Sequence, residues 1–578
     1  MKTLPNHRDT KTQRSIFFSA FSVSYHPRRG LWQKRILLWF LPLTFLAIFF
    51  FIPLIKILSL TFTPATLTAE NLRNTQHVVL FTFYQAFLST LLTLIIGLPS
   101  AVLFSRYNFP AKSLLRALTA VPFLLPTVVV AAAFNALLGQ NGLLQTILQS
   151  PNSLFLPSSF ILHPFLAILL AHTFYNATII IRIVGAALSN LDPKLEQTAR
   201  SLGADSFHVW TQITLPLLRP SILAASLLVF LFDFTSFGVI LLLGKSQFST
   251  LEVEIYIQAV KQLNLPLAAL LAIIQLLCTL AFSILYTKYA VRNTPHASRP
   301  TPHAPRTLKE KLFVSAFCLL LTAFFLLPLA SLTFRSFTRL TADRAQRTEV
   351  QYGFTTDYYE ELFINRRNSV FYVPPVKAIF NSLAYASSTV ILSILFGFPA
   401  AFALAKPTAL EKILDPLIML PLGSSAVMLG LGFLLTFGKW LTSPLLVPFA
   451  HTLVALPFVI RTLQPAIASI PQRLRQAAST LGASPFEVWK TIDLPILRRA
   501  TLAAATFAFT ISLGEFGATL LITRPDYPTI PVAVERFLSQ PGGLNYGQAM
   551  AMATILMTLT VVSILFIEKF RLPNNSDF

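Results

Sequence analysis

Cysteine is nearly missing from this chain of 578 residues: there are two, Cys278 and Cys318, both inside apolar segments. That excludes a disulfide-stapled scaffold and a cysteine metal centre, and both read as small buried hydrophobes. Charge is scarce as well. Asp, Glu, Lys and Arg make up 12% of the residues, about half the roughly 25% usual in soluble domains. Negative charge is the scarcer sign, with 23 Asp and Glu against 45 Lys and Arg. Missing too are a His-Glu-x-x-His metal motif, a nucleophile triad spacing and a nucleotide loop. Gly244-Lys245-Ser246 ends like a phosphate-binding loop, but position 239, where such a loop needs glycine, is Val239. No catalytic residue, metal ligand or cofactor is expected, and a soluble enzyme is excluded.

What fills the chain is apolar: 54% of residues are hydrophobic. A window of about 19 residues finds about twelve membrane spans. They run near 36–60, 78–105, 114–138, 160–188, 219–243 and 264–288, then near 311–334, 380–405, 413–437, 445–470, 499–522 and 545–567. The sequence therefore predicts an all-α, multi-pass protein of the lipid bilayer. The first run outlasts a signal-peptide core and reads as a retained helix. With 39 Pro and 20 Gly, some helices must be interrupted, which a membrane tolerates only where the freed backbone groups find partners.

The net charge of +22 is distributed by topology and does not mark a nucleic-acid partner. If the N-terminus is cytoplasmic and the spans alternate, 31 of the Lys and Arg fall inside and 14 outside, as the positive-inside rule requires. Both termini are expected in the cytoplasm. Residues 1–35 read as a basic cytoplasmic tail, 36–290 as one repeat, 291–310 as a Pro-, His- and Arg-rich cytoplasmic linker and 311–578 as the second repeat. Residues 336–378 fall outside, as a solvated loop or a contact for an external partner.

The two halves repeat each other. Leu195-Glu-Gln-Thr-Ala-Arg-Ser-Leu-Gly-Ala and Ile213-Thr-Leu-Pro match Leu474-Arg-Gln-Ala-Ala-Ser-Thr-Leu-Gly-Ala and Ile492-Asp-Leu-Pro at a constant offset of 279. That offset also pairs His172 with His451 and Phe237-Gly238 with Phe516-Gly517. Upstream it becomes about 300, pairing Leu98-Pro99 with Phe398-Pro399. Six spans in each half give parallel repeats about an axis along the membrane normal. The best-matched part is a cytoplasmic loop, though loops ordinarily vary most. Its chemistry predicts two short helices. Gly203 and Gly482 take positive φ at the end of the first. Asp205 or Ser484 caps the second, with a capping box from Ser484 to Glu487, and Pro216 and Pro495 end it. Phe207, Trp210 and Ile213, like Phe486, Trp489 and Ile492, form an apolar stripe, which packs onto the helix ends or docks a repeated partner.

The run Glu196-Gln-Thr-Ala with Gly203, Ile213, Leu215 and Pro216, and its second copy Arg475-Gln-Ala-Ala with Gly482, Ile492, Leu494 and Pro495, resembles the loop signature of permease subunits of binding-protein-dependent ATP-binding-cassette (ABC) importers. The resemblance implies the type I ABC importer permease fold. It also implies a plasma (inner) membrane location, two ATP-binding-cassette ATPase subunits and an extracytoplasmic solute-binding protein. On that resemblance Glu196, Gln197, Ala199, Gly203, Ala204, Phe207, Trp210 and Pro216 couple to one ATPase subunit. Gln476, Ala478, Gly482, Ala483, Phe486, Trp489 and Pro495 couple to the other. The second copy departs from the pattern, with Arg475 at the acidic position. The fused layout, Phe83-Tyr-Gln-Ala-Phe-Leu-Ser-Thr and Thr250-Leu-Glu-Val-Glu-Ile-Tyr are similar to the thiamine and ferric-iron branch.

Asp233 and Glu515 are carboxylates within apolar spans, positions expected to be wet or functional. Asp233 and Ser236, like Ser512 and Glu515, are three apart and share a helix face. With Phe237 and Phe516 they are candidates for the translocation path or gate. Hydrogen bonding within the bundle is the other explanation for the carboxylates, and helix packing for the two Phe residues. The main functional alternative is a six-plus-six secondary transporter driven by an ion gradient.

Overall fold

The structure is a computed structural model that describes residues 29–61, 68–144, 164–244, 248–290, 304–339, 341–342, 350–351, 353–364 and 373–570. Lys245 and Ser246, and residues 291–303 of the expected linker, lie outside them. Among the described residues ten helices are long and apolar enough to cross a membrane, or up to twelve if each of two bent pairs counts as one span. The only strands there are two-residue pieces, Thr341–Ala342 against Val350–Gln351. Large apolar side chains such as Phe40, Ile55, Phe87 and Leu319 stand exposed on these helices. Lipid makes that arrangement costless, and water does not.

The expected spans 114–138 and 413–437 are bent. Lys112–Leu124 and Thr127–Leu138 meet at 110°, and Ala409–Gly423 and Ala426–Trp440 at 94°. The first bend sits at Pro126, which forces Leu125 into extended backbone. The second has no proline at the corner; Ser425 caps the new helix by accepting from Met428 N at 3.0 Å. The spans 219–243 and 499–522 are broken too. Leu215–Phe234 is followed by Gly238–Gly244, and Leu494–Gly514 by Gly517–Ile522.

The chain forms two compact units, and neither is a contiguous half. One holds residues 1–56, 380–524 and 562–578; the other holds 57–379 and 525–561. In the first unit the opening helix, which reaches back to Arg29, is held by aromatic packing. Phe45 stacks on Phe396 at 4.3 Å and Phe49 on Phe449 at 4.5 Å. The Trp39 indole donates to Glu411 Oε1 at 3.3 Å. In the second unit Leu308–Ser336, capped by a Thr307/Glu310 box, places Phe325 against Phe174 at 5.5 Å. In that unit the turn Asp357–Glu360 buries Tyr358, while Phe354 and Phe363 are exposed.

Each unit contains a close helix crossing at a matched glycine. In membranes helices gain little from the hydrophobic effect, and small residues let them approach until van der Waals contacts accumulate. A Cβ on Gly97 would lie 2.7 Å from Ile180 Cβ, and one on Gly397 would lie 2.9 Å from Val459 Cγ1. Both pairs are matched by the repeat: Gly97 with Gly397, Ile180 with Val459.

Candidate functional site

The duplicated loop adopts one geometry twice. Pro193–Ser201 ends in a Schellman turn, with Gly203 N–H on Arg200 O and Ala204 N–H on Ala199 O, both at 3.0 Å. Gln472–Thr480 ends alike, with Gly482 N–H on Ser479 O and Ala483 N–H on Ala478 O. Gly203 has φ +92° and Gly482 φ +83°, as the sequence predicts. The second helix is capped as expected. Asp205 Oδ1 accepts from His208 N at 2.7 Å. In the other copy Ser484 N donates to Glu487 Oε2 at 2.7 Å and Glu487 N to Ser484 Oγ at 3.3 Å. These bonds hold the carboxyls of Asp205 and Glu487 below the usual carboxylate range, the backbone N–H being the largest influence on each.

Pro216 and Pro495 do not end the helix, contrary to expectation. Ser206–Phe234 and Phe486–Gly514 are each one continuous helix. A π turn precedes each proline, Trp210–Thr214 and Trp489–Asp493. Its last bond runs from Leu215 N–H to Trp210 O, and from Leu494 N–H to Trp489 O. The wider turn accommodates a residue that has no N–H to give.

The expected stripe is split by that turn. Phe207 is 71% exposed and Phe486 44%. Trp210 is half-buried and packs on the core formed by Ile180, Val184, Leu188 and Leu218. The Arg106 guanidinium lies over its ring at 5.7 Å. The loop's outermost apolar residues were missed from sequence: Leu202 is 83% exposed and Leu481 88%. Their signal was the repeated Leu-Gly-Ala. Gln197 and Gln476 are also exposed, Ala199 and Ala478 less so. Glu196 instead points inward, paired with Arg106 and accepting from Thr214 Oγ1 at 2.8 Å. Arg475 donates from Nε to Asp493 Oδ1 at 2.8 Å, with its guanidinium 5.4 Å from the Phe402 ring centre.

The carboxylates expected on a path sit at the helix breaks, each gathered around a matched histidine. His172 hydrogen-bonds with Ser89 Oγ at 3.0 Å and Ser236 Oγ at 2.8 Å, and its Nδ1 lies 3.6 Å from Asp233 Oδ1. Asn176 donates to Asp233 Oδ1 at 2.7 Å, and Gln85 to the Asp233 carbonyl at 2.9 Å. In the other half His451 hydrogen-bonds with Ser512 Oγ and Thr519 Oγ1, each at 2.7 Å, and its Nε2 is 3.2 Å from Glu515 Oε2. Ser512 donates to Thr389 Oγ1 at 3.2 Å. Glu515 accepts from Ala518 N at 2.9 Å and Thr519 N at 3.0 Å, capping the helix after the break. Asp233, Ser512 and Glu515 are buried, as are Phe237 and Phe516, and Ser236 is half-buried. Phe237 meets Tyr256 edge-on at 5.8 Å.

Paired loops, interrupted helices and apolar spans define a polytopic membrane protein with a duplicated architecture. The family described as binding-protein-dependent transport system inner membrane component matches residues 93–292 and again 393–570, and the chain belongs to it. Among curated relatives it is similar to the thiamine transport system permease protein ThiP of Escherichia coli, 26% identical over 86% of this chain and 89% of that protein. It is equally similar to ThiP of Brucella abortus, 26% identical over 87% and 89%. A probable ABC transporter permease of Sinorhizobium fredii is 24% identical over 85% and 87%.

Proposed function

We propose that this chain is the fused permease subunit of an ATP-driven importer for thiamine. An external binding protein delivers the solute, and a separate pair of ATPase subunits supplies the hydrolysis. The supporting observation is similarity to thiamine permeases that extends over both halves and most of each chain. The duplicated loop supports the mechanical part. Two surface elbows present Leu202 and Phe207, and Leu481 and Phe486, outward, while Trp210 seats the first on the core of its membrane helices. ATPase closure then moves each elbow, and the helix continuing from it without interruption carries the motion into the membrane. Both elbows and both termini are assigned to the cytoplasm, with repeats divided near residues 290–311. The breaks bearing Asp233, Ser236 and Phe237, and Ser512, Glu515 and Phe516, are assigned to the path or gate. An interrupted helix at membrane depth needs either protein or a cavity around it.

The test is uptake in cells carrying this chain with its ATPase and binding protein. Labelled thiamine enters in an ATP-dependent manner and ferric iron does not. Ferric-iron uptake, or thiamine uptake that follows an ion gradient without the ATPase, would overturn the assignment.

A further inference from the structure

The two loops differ where they would be expected to agree most. Position 196 is acidic and its match, 475, is basic; position 214 is a threonine and its match, 493, an aspartate. The structure joins these positions in both copies. Glu196 accepts from Thr214 at 2.8 Å and pairs with Arg106, the last residue of the helix Ala69–Arg106. Arg475 donates to Asp493 at 2.8 Å and lies over Phe402, near the end of the matching helix Val376–Leu404. Thr214 and Asp493 are the last residues of the two π turns, and both are buried. Each brace therefore ties the same three elements: the first loop helix, the π turn, and the cytoplasmic end of a membrane helix. The acid of the first loop helix is replaced by a base, and the neutral hydroxyl at the end of the π turn by an acid. Arg475 sits in the first turns of its helix, where the backbone dipole favours an acid, so local helix electrostatics do not account for it; the contact with Asp493 does. Arg106, Glu196 and Arg475 are 17–28% exposed, while Asp493 is 4% exposed and Thr214 is buried. The exposed large apolar side chains at the tip of each loop are instead Leu202 and Phe207, and Leu481 and Phe486.

We propose that Glu196 with Thr214 and Arg106, and Arg475 with Asp493, are interchangeable internal braces that set the angle of each loop, so that the ATPase reads the loop's shape and apolar tip and not the charge at position 196 or 475. This rests on reading the loops as ATPase-coupling elements. Glu196, Thr214, Arg475 and Asp493 are positioning residues.

The experiment is a charge-exchange cycle on the full complex in proteoliposomes. It reads retained ATPase subunit, solute imported per ATP hydrolysed, and amide-exchange protection of residues 193–214. Glu196→Arg alone faces Arg106, and Thr214→Asp alone faces Glu196. Each is expected to lower import per ATP about tenfold, within the range of coupling between contacting charged groups. Glu196→Arg with Thr214→Asp recreates the second copy's pair and is expected to return to within about threefold of the parent, with protection restored. Arg475→Asp with Asp493→Arg gives the same rescue in the second copy if the first tolerates no change. Doubles no better than the worse single, or singles that match the parent, overturn the proposal. Failure of the underlying reading looks different: Leu202→Asp with Leu481→Asp would then keep its ATPase and its import, while the exchange-protection cycle still reports the brace.

Discussion

Around His172 and His451 the two halves hold the same three kinds of group in exchanged places. By the offset of 279, Asp233 matches Ser512 and Ser236 matches Glu515. The carboxylate lies before the break in one half and at the break in the other, and in each case the hydroxyl takes the remaining place. The histidine touches both positions in both halves. The repeat thus retains a contact and not the identity of the residues making it, as the loop braces do. The exchange has a cost in one half. Glu515 accepts two backbone N–H groups, whereas Asp233 Oδ2 has no hydrogen-bond partner among the described residues. Of the two clusters, the second is the more completely satisfied.

The largest effect should come where the halves are most alike. Leu202→Asp and Leu481→Asp each place a charge on an exposed apolar tip. Each should reduce ATPase retention and uptake by about 30-fold or more, the scale of losing an interface hot spot. Co-purification with the ATPase measures this; a strong effect of one substitution and none of the other would break the equivalence of the elbows. Next are the helix crossings. Gly97→Ala and Gly397→Ala should each destabilise by about 1–3 kcal/mol through overpacking. Gly97 should suffer more, because its obstacle is Ile180 Cβ while Val459 Cγ1 can rotate away; thermal melts in detergent rank the two. Smaller again is the carboxylate comparison. Glu515→Gln loses a charged acceptor for two N–H groups and should cost about 1–2 kcal/mol. Asp233→Asn keeps its bond from Asn176 and should cost about 0.5 kcal/mol or less. Transport unchanged by both Asp233→Ala and Glu515→Ala would leave these residues as helix braces and remove them from the path.

The smallest effect is that of pH on the loop caps. Asp205 and Glu487 have depressed folded-state pKa values. The stability they contribute is present above the ordinary carboxylate pKa and is lost as pH falls through the lowered value. Amide protection of residues 206–209 and 486–488 should hold at neutral pH and decline below about pH 4. Both caps are exposed, so the decline should be slight and similar in the two loops.

Turn chemistry was legible because it is local. Gly203 and Gly482 were recognisable as positive-φ residues, and Ser484 to Glu487 as a capping box, from a few neighbouring residues. The π turns were not. Proline 216 seen in sequence announces a missing N–H, and whether the helix stops or widens depends on whether the core around Ile180 and Leu218 holds Trp210 in place. Likewise Asp233 was visible as a carboxylate within an apolar span, but Asn176, Gln85 and His172 come to it from 57 or more positions away along the chain.

Composition and the 279-residue offset were enough, alone, to establish a membrane protein of about twelve spans, doubled, with a repeated elbow. Apolar length, charge bias and backbone preference act within a turn or a span of helix, so a single strand of sequence carries them in full. Tertiary structure alone decided that Phe45 packs with Phe396 and Phe325 with Phe174, and which group answers each buried acid or base. Those choices depend on which distant side chains arrive within about 3 Å in a medium without water to substitute for them.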